Sequence, residues 1–424
     1  MFFPSRKAPS GMSRRHFLEH LAGSSALAVP AWTLVSSLQA RAAELRKNQK
    51  AVILLWMGGG PATIDLWDLK PGSTTGGPFQ PIATSGEVQI CEHLPRMAKQ
   101  MHHMAIVRSM STREADHNRG RYYMHTGFVP NPNMEHPSYG AVIAQQLEPT
   151  RPDLEIPPFI SVGGSSVGPG FLGMAYAPFV VDSNGRVRNL QMDLEQNRLR
   201  DRMKLLGQLE SRFIGQRRGS AAAEHAKVVK KTEQMLTSEQ MNAFQVRKEP
   251  ENIRAAYGET NFGRGCLLAR RLVETGVPFV EVDLGGWDTH RDNFNRLQTK
   301  LPEMDQAMAA LVADLSQRGM LDDVAILWMG EFGRTPRING DTGRDHWARS
   351  WSAVVGGSTF NRGIAVGSTS QDGSEVETTP YSSEDLMATL LKSIGISLET
   401  RFTATNGRPI KIAAGGRPIP ELLA

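Results

Sequence analysis

The segment Ala51-Val-Ile-Leu-Leu-Trp-Met57, followed at once by Gly58-Gly59-Gly60-Pro61, decides the fold class of this chain of 424 residues. It is an uninterrupted apolar run that ends in glycines, which is typical of a strand buried on both faces of a sheet. Comparable runs recur at Met104–Val107, Pro158–Val162, Pro278–Leu284, Val324–Met329 and Ser352–Val355. Their recurrence predicts a sheet that is mostly parallel.

Helical segments lie between these runs. Residues Leu297–Leu315 carry apolar side chains at helical spacing, and Asp385–Ile394 is a second segment of this kind. Strands that alternate with helices predict an α/β domain over residues 43–424, with helices on both faces of a mostly parallel sheet.

Residues from about 185 to 255 differ from the rest, because they are rich in Gln, Arg, Lys and Glu. Apolar side chains recur there at spacings of three, four and seven, as on one face of a helix. These side chains are Met192, Leu199, Met203, Leu206, Leu209 and Phe213. The pattern predicts a helical insertion, which is either a cap over the edge of the sheet or a helical hairpin that only covers the core.

Residues 1–42 have the layout of a cleavable export signal. Arg14 and Arg15 precede an apolar run rich in Ala, Ser and Leu, and the run ends at the small-x-small site Ala40-Arg41-Ala42. Adjacent arginines followed by Phe17 and Leu18 are typical of signals that engage the twin-arginine translocation machinery. The run is too polar for a stable membrane anchor. We therefore expect cleavage near Ala42 and a periplasmic or extracellular protein.

The composition excludes several classes of protein. Charged residues make up 21% and apolar residues 40% of the chain, which excludes disordered, fibrous and disulfide-framework proteins. The net charge is +5, but residues 1–42 hold five basic residues and one acid, so the remainder carries only +1. We therefore expect no nucleic-acid partner. Cys91 and Cys266 are expected to be two separate buried thiols.

Polar side chains follow three of the predicted strands. Asp65 comes after the first run, Asp288-Thr289-His290 after the fourth, and Glu331 after the fifth, with His346 soon behind it. Ligands of open α/β sheets bind beyond the carboxyl ends of the strands, so we expect these side chains to converge. Carboxylates and imidazoles are the usual ligands of divalent metals, which activate water or polarise an ester. One Asp-x-His pair alone has a structural explanation, but several polar groups at successive strand ends predict a site.

A predicted helix follows the strand at Met104–Val107. Asp116 is its expected N-cap, and Gly127 is expected to end it. His117 and Arg121 are four residues apart and so share one face of this helix. A helix N-terminus favours bound anions, and Arg121 would add two parallel hydrogen bonds to a phosphate, sulfate or carboxylate group.

This helix resembles the nucleophile helix of the alkaline-phosphatase and sulfatase superfamily. In that superfamily the attacking residue stands nine positions before a Thr-Gly pair, and in sulfatases an arginine follows it by four. Thr126-Gly127 sets the same frame in this chain. The resemblance therefore implies that His117 occupies the nucleophile position and that Arg121 occupies the position of the sulfatase arginine.

A second resemblance covers nearly the whole chain after residue 42. Five ordered motifs resemble a bacterial exported family catalogued only as a domain of unknown function (number fifteen-oh-one), which is grouped with that superfamily. The motifs are Asp65–Pro71, Tyr257–Glu274, Gly286–His290, Glu331–Pro336 and Gly343–Trp347. The resemblance implies an alkaline-phosphatase-like fold.

Three departures from the superfamily pattern bear on the chemistry. The phosphatases carry an aspartate directly at the end of the first strand, where this chain has Gly58-Gly59-Gly60. They carry an adjacent Asp-His pair where this chain has Glu331-Phe332, and the hydroxyl nucleophile is replaced by His117. The resemblance thus implies one divalent metal, either Zn, Mn, Mg or Ca, rather than two.

The first of two functional hypotheses is an exported metal-dependent hydrolase of phosphate or sulfate esters. Its substrate would be a small anionic ester or a sulfated or phosphorylated glycan. Asp288, His290 and His346 would bind the metal, with Glu331 or Asp65 completing the ligand set.

Two further residues would act on the substrate in this hypothesis. Arg121 would hold the anionic group, and His117 would be a covalent nucleophile, a general acid or base, or another metal ligand. The second hypothesis is a non-catalytic exported binding protein on a degenerate alkaline-phosphatase-like fold, with the remnants of the site binding an anion, a glycan or a partner.

Overall fold

The computed structural model describes residues 49–187 and 231–423, together with isolated positions between them (198, 201, 202, 204, 205, 208 and 229). The predicted export signal at residues 1–42 lies outside the described residues. So do the six apolar side chains on which the insertion at about 185–255 was predicted. Both the signal and the bounds of the insertion stay predictions.

Fourteen strands occur in the described part of the chain. They are β1 (Ala51–Trp56), β2 (Pro81–Ala83), β3 (Gln89–Cys91), β4 (Met104–Met110), β5 (Phe159–Val162), β6 (Phe179–Val181), β7 (Phe279–Asp283), β8 (Val324–Met329), β9 (Gly333–Arg334), β10 (His346–Trp347), β11 (Trp351–Gly357), β12 (Ala365–Val366), β13 (Arg401–Thr403) and β14 (Pro409–Lys411).

Seven named α-helices accompany these strands in the same part of the chain, and residues 231–237 are also helical. The named helices are α1 (Pro95–Ala98), α2 (His117–Thr126), α3 (Tyr139–Leu147), α4 (Glu251–Tyr257), α5 (Asn261–Thr275), α6 (Asn293–Gln317) and α7 (Ser383–Ser393).

The central sheet has eight strands in the order β12-β4-β11-β8-β1-β7-β5-β6. From β8 to β6 all neighbours are parallel, whereas β11 runs antiparallel to both β4 and β8. All six apolar runs predicted as strands belong to this sheet. The prediction of a mostly parallel sheet is therefore confirmed.

Helices cover both faces of this sheet, as predicted. Alternate residues of β1 point to opposite faces, so Ile53 and Leu55 pack in one core with α5 and α6. Leu54 and Trp56 pack in the other core with α2, α3 and α7. Burial on both faces explains why β1 is apolar throughout.

The carboxyl ends of β1, β7 and β8 lie side by side. Trp56 at the end of β1 pairs with Asp283 of β7 and with Met329 of β8. The loops that follow these strands therefore leave the sheet at one edge. Gly59, in the loop after β1, has a φ of 114°, and a Cβ there would lie 2.6 Å from the backbone nitrogen of Asp288. Because glycine has no Cβ, the loop after β1 and the loop after β7 can lie in direct contact.

Helix α2 begins and ends where the sequence predicts. The Asp116 side chain accepts a hydrogen bond from the backbone nitrogen of Arg119 at 3.0 Å, as an N-cap does. Gly127 takes the left-handed conformation, with a φ of 75°, and ends the helix. The N-terminal residue of α2 is therefore His117, and the helix packs on the sheet face that carries Trp56.

Part of the predicted insertion is described and contributes to the core. Met235 and Phe244 are both buried and pack in the cluster that contains α5. Cys91 and Cys266 are buried and unpaired, which confirms the prediction of two separate thiols. Within the described residues, every helix is too short or too polar to span a bilayer.

Candidate metal centre

Three imidazoles surround one carboxylate oxygen at the carboxyl edge of the sheet. Asp288 Oδ1 lies 3.1 Å from His290 Nε2, 3.4 Å from His117 Nε2 and 3.4 Å from His346 Nε2. We call these four side chains the His/Asp centre. The structure thus brings together Asp288, His290 and His346, the three residues predicted to bind a metal. It also places His117 beside them.

Three different parts of the fold supply these side chains. His117 is the first residue of α2, and Asp288 and His290 lie in the loop after β7. His346 begins β10, which pairs antiparallel with β9 just beyond β8, so that His346 stands opposite Arg334. Each ligand is therefore fixed by a regular element or by a loop that directly follows one.

The Nδ1 atom of every histidine in the centre faces a hydrogen-bond acceptor. The pairs are His117 with Glu331 Oε1 at 2.6 Å, His290 with Asp345 Oδ1 at 2.7 Å, and His346 with the backbone oxygen of Ala115 at 2.7 Å. Carboxylates and carbonyl oxygens only accept, so each Nδ1 carries a proton and donates it. In the neutral ring the lone pair then lies on Nε2.

The three Nε2 atoms consequently face Asp288, from 3.1 to 3.4 Å. The Nε2 atoms of His290 and His346 are 3.0 Å apart, and His117 Nε2 is buried without a hydrogen-bond partner among the described residues. Lone pairs directed at a carboxylate repel it unless a proton or a metal ion lies between them. In metalloproteins, acceptors placed in this way hold the ring of a metal-binding histidine in one orientation.

The spacing of the donor atoms fits a divalent ion. A tetrahedral site with bonds of about 2.0–2.2 Å has about 3.3–3.6 Å between its ligand atoms. The ligand atoms of His117, Asp288 and His346 all lie within 4.8 Å of one another. The residues present therefore fit a metal, and a set rich in imidazole suits zinc better than magnesium or calcium.

Arg334 keeps the carboxylate of the centre ionised. Burial acts to raise the pKa of Asp288, but the hydrogen bond and charge of Arg334 lower it to about 2. The guanidinium donates to Asp288 Oδ1 at 2.6 Å and to the backbone oxygen of Gly60 at 2.7 Å, and its side chain is wholly buried. Arg334 is thus a fixed part of the centre, and four of its five N–H donors are taken by Asp288 and by backbone oxygens.

The protonation of two histidines is biased in opposite directions. The hydrogen bond to Glu331 raises the pKa of His117 despite partial burial. Burial lowers the pKa of His346, which favours the neutral, ligating form. Asp345 has a lowered pKa chiefly because it accepts the hydrogen bond of His290.

Glu331 stands behind His117 rather than in the ligand position predicted for it. Its Oε1 accepts from His117 Nδ1 at 2.6 Å and from the backbone nitrogen of Gly59 at 2.9 Å, and the residue is 3% exposed. The sequence placed Glu331 at the correct strand end but did not reveal on which side of the imidazole it lies. We correct its role to that of a residue that orients His117.

Asp65 lies outside the centre, which corrects its predicted place in the ligand set. Its two oxygens accept from the Arg344 guanidinium at 2.7 and 2.8 Å, and Oδ2 also accepts from Asn293 at 2.9 Å. Burial raises its pKa, although the charge of Arg344 opposes the shift. Because Arg344 precedes Asp345 and His346, Asp65 anchors the loop that presents them.

Arg121 lies one helical turn from His117, but its guanidinium is directed away from Asp288. It donates to the backbone oxygen of Ser165, stands 3.8 Å from Glu281 Oε1 and lies over the ring of Trp56 at 5.8 Å. Its side chain is 32% exposed. The structure therefore does not place Arg121 around the His/Asp centre.

Arg334 and Asp345 were not among the predicted site residues. Both lie within the ordered motifs, Arg334 in Glu331–Pro336 and Asp345 in Gly343–Trp347. Asp345 directly precedes His346 but binds the other histidine, His290, which is 55 positions away. Arg334 faces His346 across β9 and β10. The one available signal was that charged residues flank the predicted ligands in those motifs.

Several solved structures are similar to this chain at low sequence identity. A sulfatase from Pseudoalteromonas sp. is 14% identical, with a TM-score of 0.38 over 85% of this chain and 70% of that chain. A protein in the alkaline phosphatase superfamily from Vibrio parahaemolyticus is 13% identical, with a TM-score of 0.36 over 89% of this chain and 71% of that chain. A phosphonate monoester hydrolase from Silicibacter pomeroyi is 13% identical, with a TM-score of 0.35 over 88% and 76% of the two chains.

Comparison of the sequence with proteins of curated function gave no match. A family model does match, over residues 49–423, and it is the family that the five ordered motifs resemble. Since this match spans all but the N-terminal segment and the last residue, the chain belongs to the family described as protein of unknown function (DUF1501).

Proposed function

We propose that the protein is an exported metal-dependent hydrolase whose His/Asp centre binds one divalent ion and whose substrates are phosphate or sulfate esters. The observation that carries the proposal is the set of three histidines with Nδ1 held by acceptors and Nε2 directed at Asp288. Such a set costs stability unless a cation joins it, which favours a functional rather than a structural reading.

A divalent ion in this centre would supply an activated water and a Lewis acid for the ester. The chain's own residues then hold the ligands in place. Arg334 keeps Asp288 anionic, Glu331 keeps the ring of His117 turned toward the centre, and Asp345 does the same for His290.

Among the roles left open for His117, the ligand role has the best geometric support. Its Nε2 is buried, lacks a hydrogen-bond partner in the described part of the chain and points at Asp288 Oδ1 from 3.4 Å. A covalent nucleophile would instead need open space in front of this atom for the attacked group. We therefore propose His117 as a ligand.

Arg121 is the proposed contact for the anionic group of the substrate. It lies on the same face of α2 as His117 and is partly exposed. To bind an oxyanion it would exchange its hydrogen bond to the backbone oxygen of Ser165 for one to the substrate.

One observation favours the alternative of a non-catalytic binding protein. Arg334 is already bonded to Asp288, and Arg121 donates to the backbone oxygen of Ser165, so in the described part of the chain neither guanidinium is directed at a substrate anion. In that alternative the metal would hold a ligand rather than turn over a substrate.

We also propose export by the twin-arginine route with cleavage near Ala42. Two independent boundaries support this assignment. The compact unit begins at Gln49 and the family match begins at residue 49, a few residues beyond the proposed cleavage site. N-terminal sequencing of exported protein tests the cleavage, and replacing Arg14 and Arg15 by lysines tests the route, since unimpaired export would point to the general secretory route.

The hydrolase is tested by assaying the exported protein, loaded with zinc or manganese, against phosphate monoesters, phosphate diesters and sulfate esters. Turnover that disappears in Asp288→Asn and persists in His102→Ala would support the proposed hydrolase. His102 is a suitable control because it contacts Ser85 and His103 rather than the centre. Bound metal without turnover on any ester would favour the binding protein.

A further inference from the structure

A buried glutamate and a buried histidine contact each other beneath α2, apart from the His/Asp centre. Glu281 is in the middle of β7 and is 0% exposed, and His125 is in the last turn of α2 and is 3% exposed. Glu281 Oε1 lies 3.3 Å from His125 Nε2. A carboxylate inside a buried strand is costly unless it is paired, so this contact needs an explanation.

Hydrogen bonds account for every polar side-chain atom of the pair. His125 Nδ1 donates to the backbone oxygen of Arg121 at 2.8 Å, and its Nε2 faces Glu281. The Ser166 hydroxyl donates to the second oxygen of Glu281. Burial acts to raise the pKa of Glu281, but His125, Ser166 and Arg121 together lower it. Both nitrogens of His125 therefore face acceptors, and Glu281 is the acceptor that faces its Nε2.

Apolar and aromatic groups seal this pair from water. The ring of His125 packs on Trp56, with ring centroids 4.2 Å apart. Burying a carboxylate beside a basic side chain contributes little net stability, because the cost of desolvation offsets the attraction between the two groups. A role in fixing one arrangement of the chain explains the pair better than a role in stability.

The pair joins two of the three chain segments that supply side chains to the centre. Helix α2 carries His117 at its start and His125 two turns later on the same face. Strand β7 carries Glu281 and leads directly into the loop with Asp288. A slip of α2 by one residue would move His117 by about 1.5 Å along the helix axis. Metal sites tolerate deviations of only about 0.2 Å, so the register of α2 decides whether His117 reaches the ion.

We propose that the His125–Glu281 pair is a positioning device that sets the register of α2 against β7 and thereby places His117 at Asp288. This proposal rests on the proposed function, because bound metal is one of the quantities that its test measures. It assigns His125 and Glu281 no contact with substrate or metal.

The test replaces the pair with apolar side chains of similar volume, in the double variant His125→Phe and Glu281→Met. Such a replacement of a buried ion pair is often neutral for stability. The control is Tyr123→Phe, which removes a 2.5 Å hydrogen bond from α2 to Glu384 of α7, away from β7. Zinc affinity is measured by competition with a chelator, and melting temperature is measured without metal.

We expect the double variant to stay folded and to bind zinc about 10–100-fold more weakly, as when outer-shell partners of metal ligands are removed. The control should bind zinc as the wild type does. Wild-type zinc affinity in a folded double variant would overturn the proposal. If the double variant does not fold, His125→Gln with Glu281→Gln serves instead, because it keeps a neutral hydrogen bond, and it should bind zinc more tightly than His125→Ala does. Equal affinities of those two variants would also overturn the proposal.

Hydrogen exchange of the α2 amides in metal-free protein separates this inference from the proposed function. We expect faster exchange in the double variant than in the Tyr123→Phe control. A wild type that binds no metal would defeat the proposed function, and the exchange rates would still decide this inference. Equal exchange rates in the double variant and the control would count against it.

Discussion

Glu331 offers the sharpest test of how the centre is organised, since its carboxylate touches His117 and no other ligand of the centre. The change to make is Glu331→Ala, with Glu331→Gln as its partner. The alanine removes the 2.6 Å hydrogen bond that holds His117 Nδ1. A hydrogen bond to a charged group contributes about 1.5–3 kcal/mol, which corresponds to about 10–150-fold in affinity. We expect metal binding to weaken by that factor in Glu331→Ala.

Glutamine keeps an oxygen in place for both donors, His117 Nδ1 and the backbone nitrogen of Gly59, and loses only the charge. A neutral hydrogen bond contributes about 1 kcal/mol less than a charged one, so Glu331→Gln should bind metal only about fivefold more weakly. Affinities are measured by chelator competition and calorimetry. If Glu331 were a metal ligand instead, glutamine would weaken binding nearly as much as alanine. Unchanged affinity in both variants would refute the positioning role.

Three further predictions follow from named contacts. Asp65→Asn leaves the buried Arg344 without its charged partner, so the free energy of unfolding in urea should fall by about 3–5 kcal/mol, and a fall below about 1 kcal/mol would contradict the buried pair. Gly59→Ala puts a Cβ 2.6 Å from the Asp288 backbone and should lower both melting temperature and bound metal. Gly72→Ala, with a φ of 80° but nothing within 4 Å, should cost only about 1–2 kcal/mol and keep the metal. Glu281 has a lowered pKa in the folded protein, so its contribution to stability should be complete above its unfolded pKa of about 4.3 and should disappear as pH falls further. The stability difference between wild type and Glu281→Gln should therefore shrink below that pH, and a difference that stays constant from pH 6 to pH 3 would contradict the shift.

The strands and the caps of α2 could be predicted because their signals are local. The run Ala51–Trp56 is apolar at every position, and Asp116 and Gly127 are the residue types that begin and end helices. His290 and His346 could be predicted as neighbours because parallel strands end at one edge of a sheet. The caps placed His117 in the first turn of α2, but only the resemblance to a nucleophile helix suggested a catalytic or ligand role for it.

What could not be predicted are pairings between distant side chains. Asp65 and Arg344 are 279 positions apart, and neither residue signals the other locally. Glu331 was correctly placed at a strand end, yet only the fold shows that the carboxylate lies behind the imidazole of His117. Arg121 shares a face with His117, as periodicity predicts, but Ser165 and Glu281 turn its guanidinium away from the centre.

The central claim is that the His/Asp centre holds a divalent metal, and elemental analysis of purified protein after metal loading and desalting tests it most directly. We predict about one equivalent of zinc or manganese in the wild type and in His102→Ala. We predict much less in His346→Ala, which removes an Nε2 located 3.4 Å from Asp288 Oδ1. A wild type that retains no metal, or a folded His346→Ala protein that retains as much metal as the wild type, would contradict the account.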